Sequence, residues 1–153
     1  MSLEQIRPTS ALNNPINSFN VYSLNVNPNG GSNISTSTEI NFTANWTGPV
    51  TASTAVLGVL SGNVVTLTFP ATVSSGNNSA TVMASQAGAL PVSLRPGGQL
   101  ILPAIIVNNA VSAIGAITIS TSGLLSFAPA AGGTYTASIS TTGFLGSSVT
   151  YHI

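Results

Sequence analysis

The sequence predicts an all-β domain of antiparallel strands, arranged as a sandwich, a jelly roll or a small barrel. Short segments rich in Val, Ile and Thr recur along the chain, and these residue types favour half-buried pleated strands. Turn residues separate the segments at intervals of about ten residues, which is typical of such folds. No segment shows the 3.6-residue periodicity of a long amphipathic helix, so crossover helices are not expected.

The first residues differ from the remainder of the chain. Residues 1 to 18 hold prolines and asparagines without strong apolar runs, which predicts an extended arm or linker. The domain is expected to span residues 19–153, beginning with a strand at 19–26 that ends in a turn at 28–31. Further strands are predicted at 34–42, 55–60, 64–69, 80–84, 99–108, 115–120, 124–127, 134–140 and 147–153.

Charge is scarce in this chain. Of its 153 residues only Glu4, Arg7, Glu39 and Arg95 are permanently charged, so charged residues make up 3%, against roughly 25% in an ordinary soluble domain. Two separated arginines cannot form the basic surface that nucleic acid requires, and two separated glutamates cannot form an acidic metal site. We therefore expect no nucleic-acid partner, no metal and no cofactor.

Neither disulfides nor membrane insertion are predicted. The chain has no cysteine, which excludes disulfides and thiolate metal sites. Its longest apolar run, residues 100–107, contains Pro103 and is much shorter than the roughly 20 residues of a membrane-spanning helix. The acidic Glu4 occupies the region where a secretion signal would be basic.

The run at 100–107 is apolar at consecutive positions. In an antiparallel sandwich, one face of such a strand would have no buried contact, so a second burial surface is implied. Loops of the same chain could cover it as a central strand, or it could form a contact between subunits. The residues favour both explanations equally.

Catalysis is not predicted. The titratable groups are few: Glu4, Glu39, His152 and the three tyrosines. A serine triad could be assembled only from Glu39 and His152, and the chain has no Gly-x-Ser-x-Gly elbow to position its nucleophile. Alternation between Tyr151 and Ile153 predicts that His152 points outward from an edge strand rather than into an active site.

Five segments, taken in order, resemble the globular head domains at the C-termini of fibre, tail and collagen-like surface proteins of bacteriophages and large DNA viruses. They are NFTANWTGP at 41–49, GNVVTLTF at 62–69, LPVSLRP at 90–96, GAITISTSGLL at 115–125 and SVTYHI at 148–153. LPVSLRP, followed by a glycine-marked hairpin, is the most specific of them.

This resemblance implies an antiparallel jelly-roll β-sandwich similar to tumour necrosis factor and complement-type domains, assembled as a homotrimer. It implies a non-enzymatic head on the virion surface for host attachment, with a host receptor or glycan and other virion proteins as partners. The alternative is a structural capsid or decoration protein with a jelly-roll fold and no receptor role. The sequence does not choose between the two.

Two side chains are candidates for a defined role. Trp46, before a Thr-Gly-Pro turn, is favoured as a packing anchor, with stacking on a sugar ring as the alternative binding role. Arg95 lies between Pro91 and Pro96, which stiffen the segment, so we expect it to be held by protein acceptors. Those acceptors would be Glu39, the C-terminal carboxylate, or carbonyls of residues 90–96.

Overall fold

The structure, a computed structural model, describes residues 23–26, 32–35, 37–75, 79–130, 133–136 and 141–153. Within these ranges the chain forms strands and a 3-10 turn at Val92–Leu94, without an α-helix, and no helix could cross a membrane. The strands are β1 (Ser23–Val26), β2 (Ser32–Ser35), β3 (Ser37–Thr47), β4 (Ala52–Ser61), β5 (Val64–Phe69), β6 (Thr72–Ser75), β7 (Met83–Ser85), β8 (Leu100–Asn108), β9 (Val111–Ile119), β10 (Leu125–Pro129), β11 (Thr141–Phe144) and β12 (Ser147–His152). The predicted all-β class is confirmed.

Two antiparallel sheets contain all of these strands. β1 and β2 pair with each other, while the remaining strands form a 10-stranded sheet in the order β12-β5-β4-β3-β7-β10-β9-β8-β11-β6. Most sequence neighbours in the large sheet are joined by short turns, as the spacing of turn residues predicted. The sheet is curled rather than flat.

The two ends of the large sheet belong to one bent ribbon. The β5–β12 pair and the β6–β11 pair share one register. Phe69 faces Ser147, and Thr72, three residues after Phe69, faces Phe144, three residues before Ser147. The ladder is interrupted at Pro70, which has no N–H to donate. Since β5 also pairs with β4 and β11 with β8, the ribbon joins both ends of the sheet and curls it around one inner face.

Aromatic rings fill the space inside the curl. Phe127 and Phe144 are stacked with ring centroids 3.9 Å apart, and the Trp46 ring lies tilted or edge-on to them at 5.5 and 5.1 Å. Such pairs each contribute about 0.5–1.5 kcal/mol beyond their buried area. Trp46 and Ala44 point inward from β3 while Asn45 between them is exposed, so strand alternation alone places these side chains in the core.

Most predicted strands are present with shifted ends, and β5 coincides with the predicted 64–69. Strands β6 and β11 were not predicted. In the described part of the predicted strand 134–140, only Tyr135 forms a bridge, to Ala80. The predicted arm at 1–18 lies outside the described residues.

Candidate functional site

The β8–β9 hairpin carries an apolar outer face. Ile101, Ile105 and Ile114 expose 65%, 50% and 75% of their surface, and Ile105 stands directly opposite Ile114 in the ladder. Their strand neighbours Ala104 and Ile106 are buried in the core. The described residues therefore leave the outer face of β8 open, and of the two explanations considered from the sequence, cover by loops is not seen in this part of the chain.

A groove opens beside this face, between β8 and β12. β11 pairs with β8 at Ile106 and Val107, and the Leu145 N–H donates to the Ile105 carbonyl at 3.0 Å. In an antiparallel strand every second residue directs its N–H and C=O to the same side. After Ile105 the next residue of β8 to face this side is Pro103, which has no N–H to donate. β12 turns away and pairs with β5 instead, leaving a groove of about 220 Å³ lined by Leu102, Pro103, Ser148, Val149 and Thr150.

A second gap, between β4 and β6 on the other side of the ribbon, is closed. Where β6 leaves the direction of β5, the Thr72 hydroxyl meets the Thr54 hydroxyl of β4 at 2.7 Å. Both threonines are buried. The molecule thus fills one of the two gaps with its own side chains and leaves the gap beside Pro103 open.

The outer face of β5 and β12 is polar and rich in hydroxyl groups. The Thr66 and Thr150 hydroxyls lie 3.0 Å apart, and those of Thr68 and Ser148 lie 3.1 Å apart. On the neighbouring strands the Ser53 hydroxyl donates to the Asn45 side-chain oxygen. Hydroxyl and amide groups both donate and accept hydrogen bonds, so this face suits an uncharged polar ligand.

Arg95 is held by its own segment. Its Nε donates to the Leu90 carbonyl at 2.9 Å, which is one of the acceptors expected from the sequence. Leu90 N–H in turn donates to the Gly123 carbonyl at 3.0 Å, and a Cβ on Gly123 would lie 2.6 Å from Arg95 Nε. Glycine is therefore required at position 123 for the guanidinium to reach its acceptor.

The prolines on either side of Arg95 frame the 3-10 turn. Pro91 immediately precedes Val92–Leu94, and its carbonyl accepts from the Leu94 N–H at 2.9 Å. Pro96 is buried. The Tyr151 hydroxyl of β12 donates to the Leu94 carbonyl at 2.5 Å, so the segment 90–96 is fastened to the final strand.

Trp46 has no exposed surface. Stacking on a sugar requires a ring face open to solvent, so the binding role considered for Trp46 is incompatible with its position. Its ring instead packs in the aromatic cluster, which is the packing-anchor role favoured from the sequence. Trp46 lies near the end of β3, but the inner face of the curled sheet continues past that end, so this position does not expose the ring.

No sequence pattern indicated a role for one further residue, Gln86. Its side-chain Oε1 accepts from the Asn45 N–H at 2.6 Å, and its Nε2 donates to the Thr43 carbonyl at 3.2 Å. The side chain thereby continues the pairing between β7 and β3 beyond the end of β7. A single glutamine after a short strand belongs to no recognisable pattern, and only the register of β3 reveals its role.

The titratable candidates do not converge. Glu39 and His152 are both exposed, and Glu39 stands across β4 and β5 from Thr150, so three interstrand spacings separate its strand from β12, roughly 14 Å. No group of three or more His, Cys, Asp or Glu side chains occurs among the described residues. This arrangement brings no acid–base pair together in the described part of the chain.

Comparison with protein-family models and with curated proteins finds no match to this chain. The resemblance to viral head domains therefore stays a prediction from the sequence.

Proposed function

We propose that this chain is a non-enzymatic head module that assembles as a homotrimer through the apolar outer face of β8–β9 and serves in host attachment on a virion surface. The observation that carries the proposal is the open row of Ile101, Ile105 and Ile114. An exposed apolar face of this kind marks an interaction surface. The order of the segments that resemble viral heads supplies the trimeric state and the attachment role.

The polar outer face of β5 and β12 supports an uncharged ligand such as a neutral glycan. Its hydroxyl groups, at Thr66, Thr68 and Thr150, are already arranged in cross-strand pairs. Sugar hydroxyls are recognised by such donors and acceptors. Among the described residues this face carries no Lys or Arg to bind an anionic ligand, and its one basic side chain is His152 at the end of β12. Attachment through this face is part of the proposal.

Assembly is tested by light scattering at micromolar concentration, where the proposal requires three times the 15.3 kDa chain mass. Ile114→Asn should reduce the assembled fraction. The matched control is Val92→Asn, because Val92 is equally exposed at 75% but lies in the 3-10 turn. A parent chain of single-chain mass would refute the trimer.

Attachment is tested by applying the assembled protein to an array of glycans and to host cell-wall material. Clear binding that Thr68→Arg abolishes would support the attachment role. Absence of binding on every surface would leave the structural capsid or decoration protein as the better explanation. Turnover of a polysaccharide by the isolated chain would overturn the non-enzymatic assignment.

A further inference from the structure

In a cyclic trimer the contact between neighbouring copies joins two different surfaces of the chain, and only side chains on the three-fold axis meet their own equivalents. Exposed isoleucines away from that axis face another part of the neighbouring copy. We infer that Ile114 of one copy enters the groove between β8 and β12 of the next copy. This inference rests on the proposed homotrimer and names the two surfaces that meet.

The shape and chemistry of the two surfaces agree. Ile114 is 75% exposed and apolar. The groove is lined by the apolar Leu102, Pro103 and Val149, with hydroxyls at Ser148 and Thr150. Insertion of an aliphatic side chain would remove apolar surface from water on both copies, at about 25 cal/mol for each Å².

Charge favours a second copy of this chain as the occupant. Neither the groove nor the outer face of β8–β9 contains an ionisable side chain among the residues that line them. Contact between them buries no charge, which would be costly without a partner. A charged partner would gain nothing at this surface, whereas an identical chain supplies the uncharged apolar complement.

The groove follows from the strand pairing. Pro103 offers no N–H to a strand on this side of β8, and β12 pairs with β5 instead. The equivalent gap between β4 and β6 is closed by the Thr54–Thr72 hydroxyl bond. The groove also lies beside the apolar face, because Ile101 and Ile105 are two residues to either side of Pro103 on β8.

Filling the groove tests the inference. Ser148→Trp places a large ring in the groove, and Thr68→Trp is the matched control because Thr68 is the direct cross-strand partner of Ser148 but does not line the groove. We expect Ser148→Trp to raise the concentration at which half the chains are assembled at least tenfold, with the control close to the parent. A trimeric parent with an equally trimeric Ser148→Trp variant would overturn the inference and leave the proposed trimer intact, whereas a monomeric parent would overturn both.

Cross-linking tests the same contact if Ser148→Trp does not fold. The chain has no cysteine, so Ile114→Cys and Ser148→Cys each introduce a single thiol. A short thiol cross-linker should join the two variants to each other when they are mixed, and should join neither variant efficiently to itself. Predominant linkage of Ile114→Cys to its own copy would place Ile114 against its equivalent, at a two-fold contact or on the three-fold axis, and would overturn the inference.

Discussion

Arg95 fixes the segment 90–96 through one charge-assisted hydrogen bond, so removing that bond should destabilise the fold. The acceptor, the Leu90 carbonyl, lies 2.9 Å from Nε and belongs to a fully buried residue. Hydrogen bonds to charged groups contribute about 1.5–3 kcal/mol, and partial exposure of Arg95 places the loss near the lower end, at about 1.5 kcal/mol for Arg95→Met. Methionine keeps the aliphatic stem, so Arg95→Ala should cost somewhat more, about 2 kcal/mol.

The free energy of unfolding is measured by urea denaturation at one fixed protein concentration, because assembly would shift the apparent stability. Fluorescence of the single tryptophan, Trp46, reports the transition since its ring is buried. Arg95→Lys is the control: it keeps the charge but not the planar donor geometry. Parent-like stability of Arg95→Lys would show that charge alone matters, and Arg95→Met within about 0.5 kcal/mol of the parent, the usual range of surface substitutions, would refute the reasoning.

Three further predictions concern the buried tyrosines, the pH dependence of stability and a tight turn. Tyr151→Phe removes the hydroxyl that donates to Leu94 and should cost about 1 kcal/mol, whereas Tyr135→Phe should be neutral or stabilising because the buried Tyr135 hydroxyl has no partner among the described residues. Burial raises the pKa of both phenols, so the unfolded chain loses these protons at a lower pH than the folded chain. The free energy of unfolding should therefore fall as pH rises above about 10. A urea midpoint that stays constant from pH 9 to 11 would contradict this prediction. Ala110 has a φ of 63° in the β8–β9 turn, so Ala110→Gly should stabilise by about 1 kcal/mol, while Ala113→Gly within β9 should destabilise by about 0.5–1 kcal/mol. Thermal melts that rank these two glycine variants in the opposite order would refute the strain argument.

Strands with a strong local pattern could be predicted from the sequence. β5 follows a turn at residues 62–63, is ended by Pro70 and alternates buried with more exposed positions, which is the pattern of a half-buried strand. Strands β6 and β11 have four residues each and little apolar content. They form because the ribbon places them opposite each other, although Thr72 and Phe144 are far apart in sequence.

Gly143 illustrates why the second half of the ribbon could not be predicted. Its φ is +142°, and a Cβ there would lie 2.0 Å from the Thr72 carbonyl oxygen. Only glycine permits this approach. The requirement is visible once the two strands are paired, but a single glycine in a chain with 15 of them carries no such information.

Only the local features of the candidate site could be predicted from the sequence. The consecutive apolar residues of β8 predicted that a second surface is needed, and the exposure of Ile101 and Ile105 agrees with that need. Pro103 interrupts this run in the sequence itself. Its effect depends on which neighbouring strand its missing N–H would have faced, and that is set by the register with β11.

The scarcity of charge removes one obstacle to assembly. The formal net charge is zero, so electrostatic repulsion between copies does not oppose association. With an apolar face and an open groove on the same chain, a contact between different surfaces produces a closed ring if the rotation between copies closes and an open filament if it does not. In the proposed trimer every groove holds a side chain of the next copy, so no groove remains open to bind a fourth chain. The polar outer face of β5 stays available for a ligand because Thr66 and Thr68 lie outside the groove.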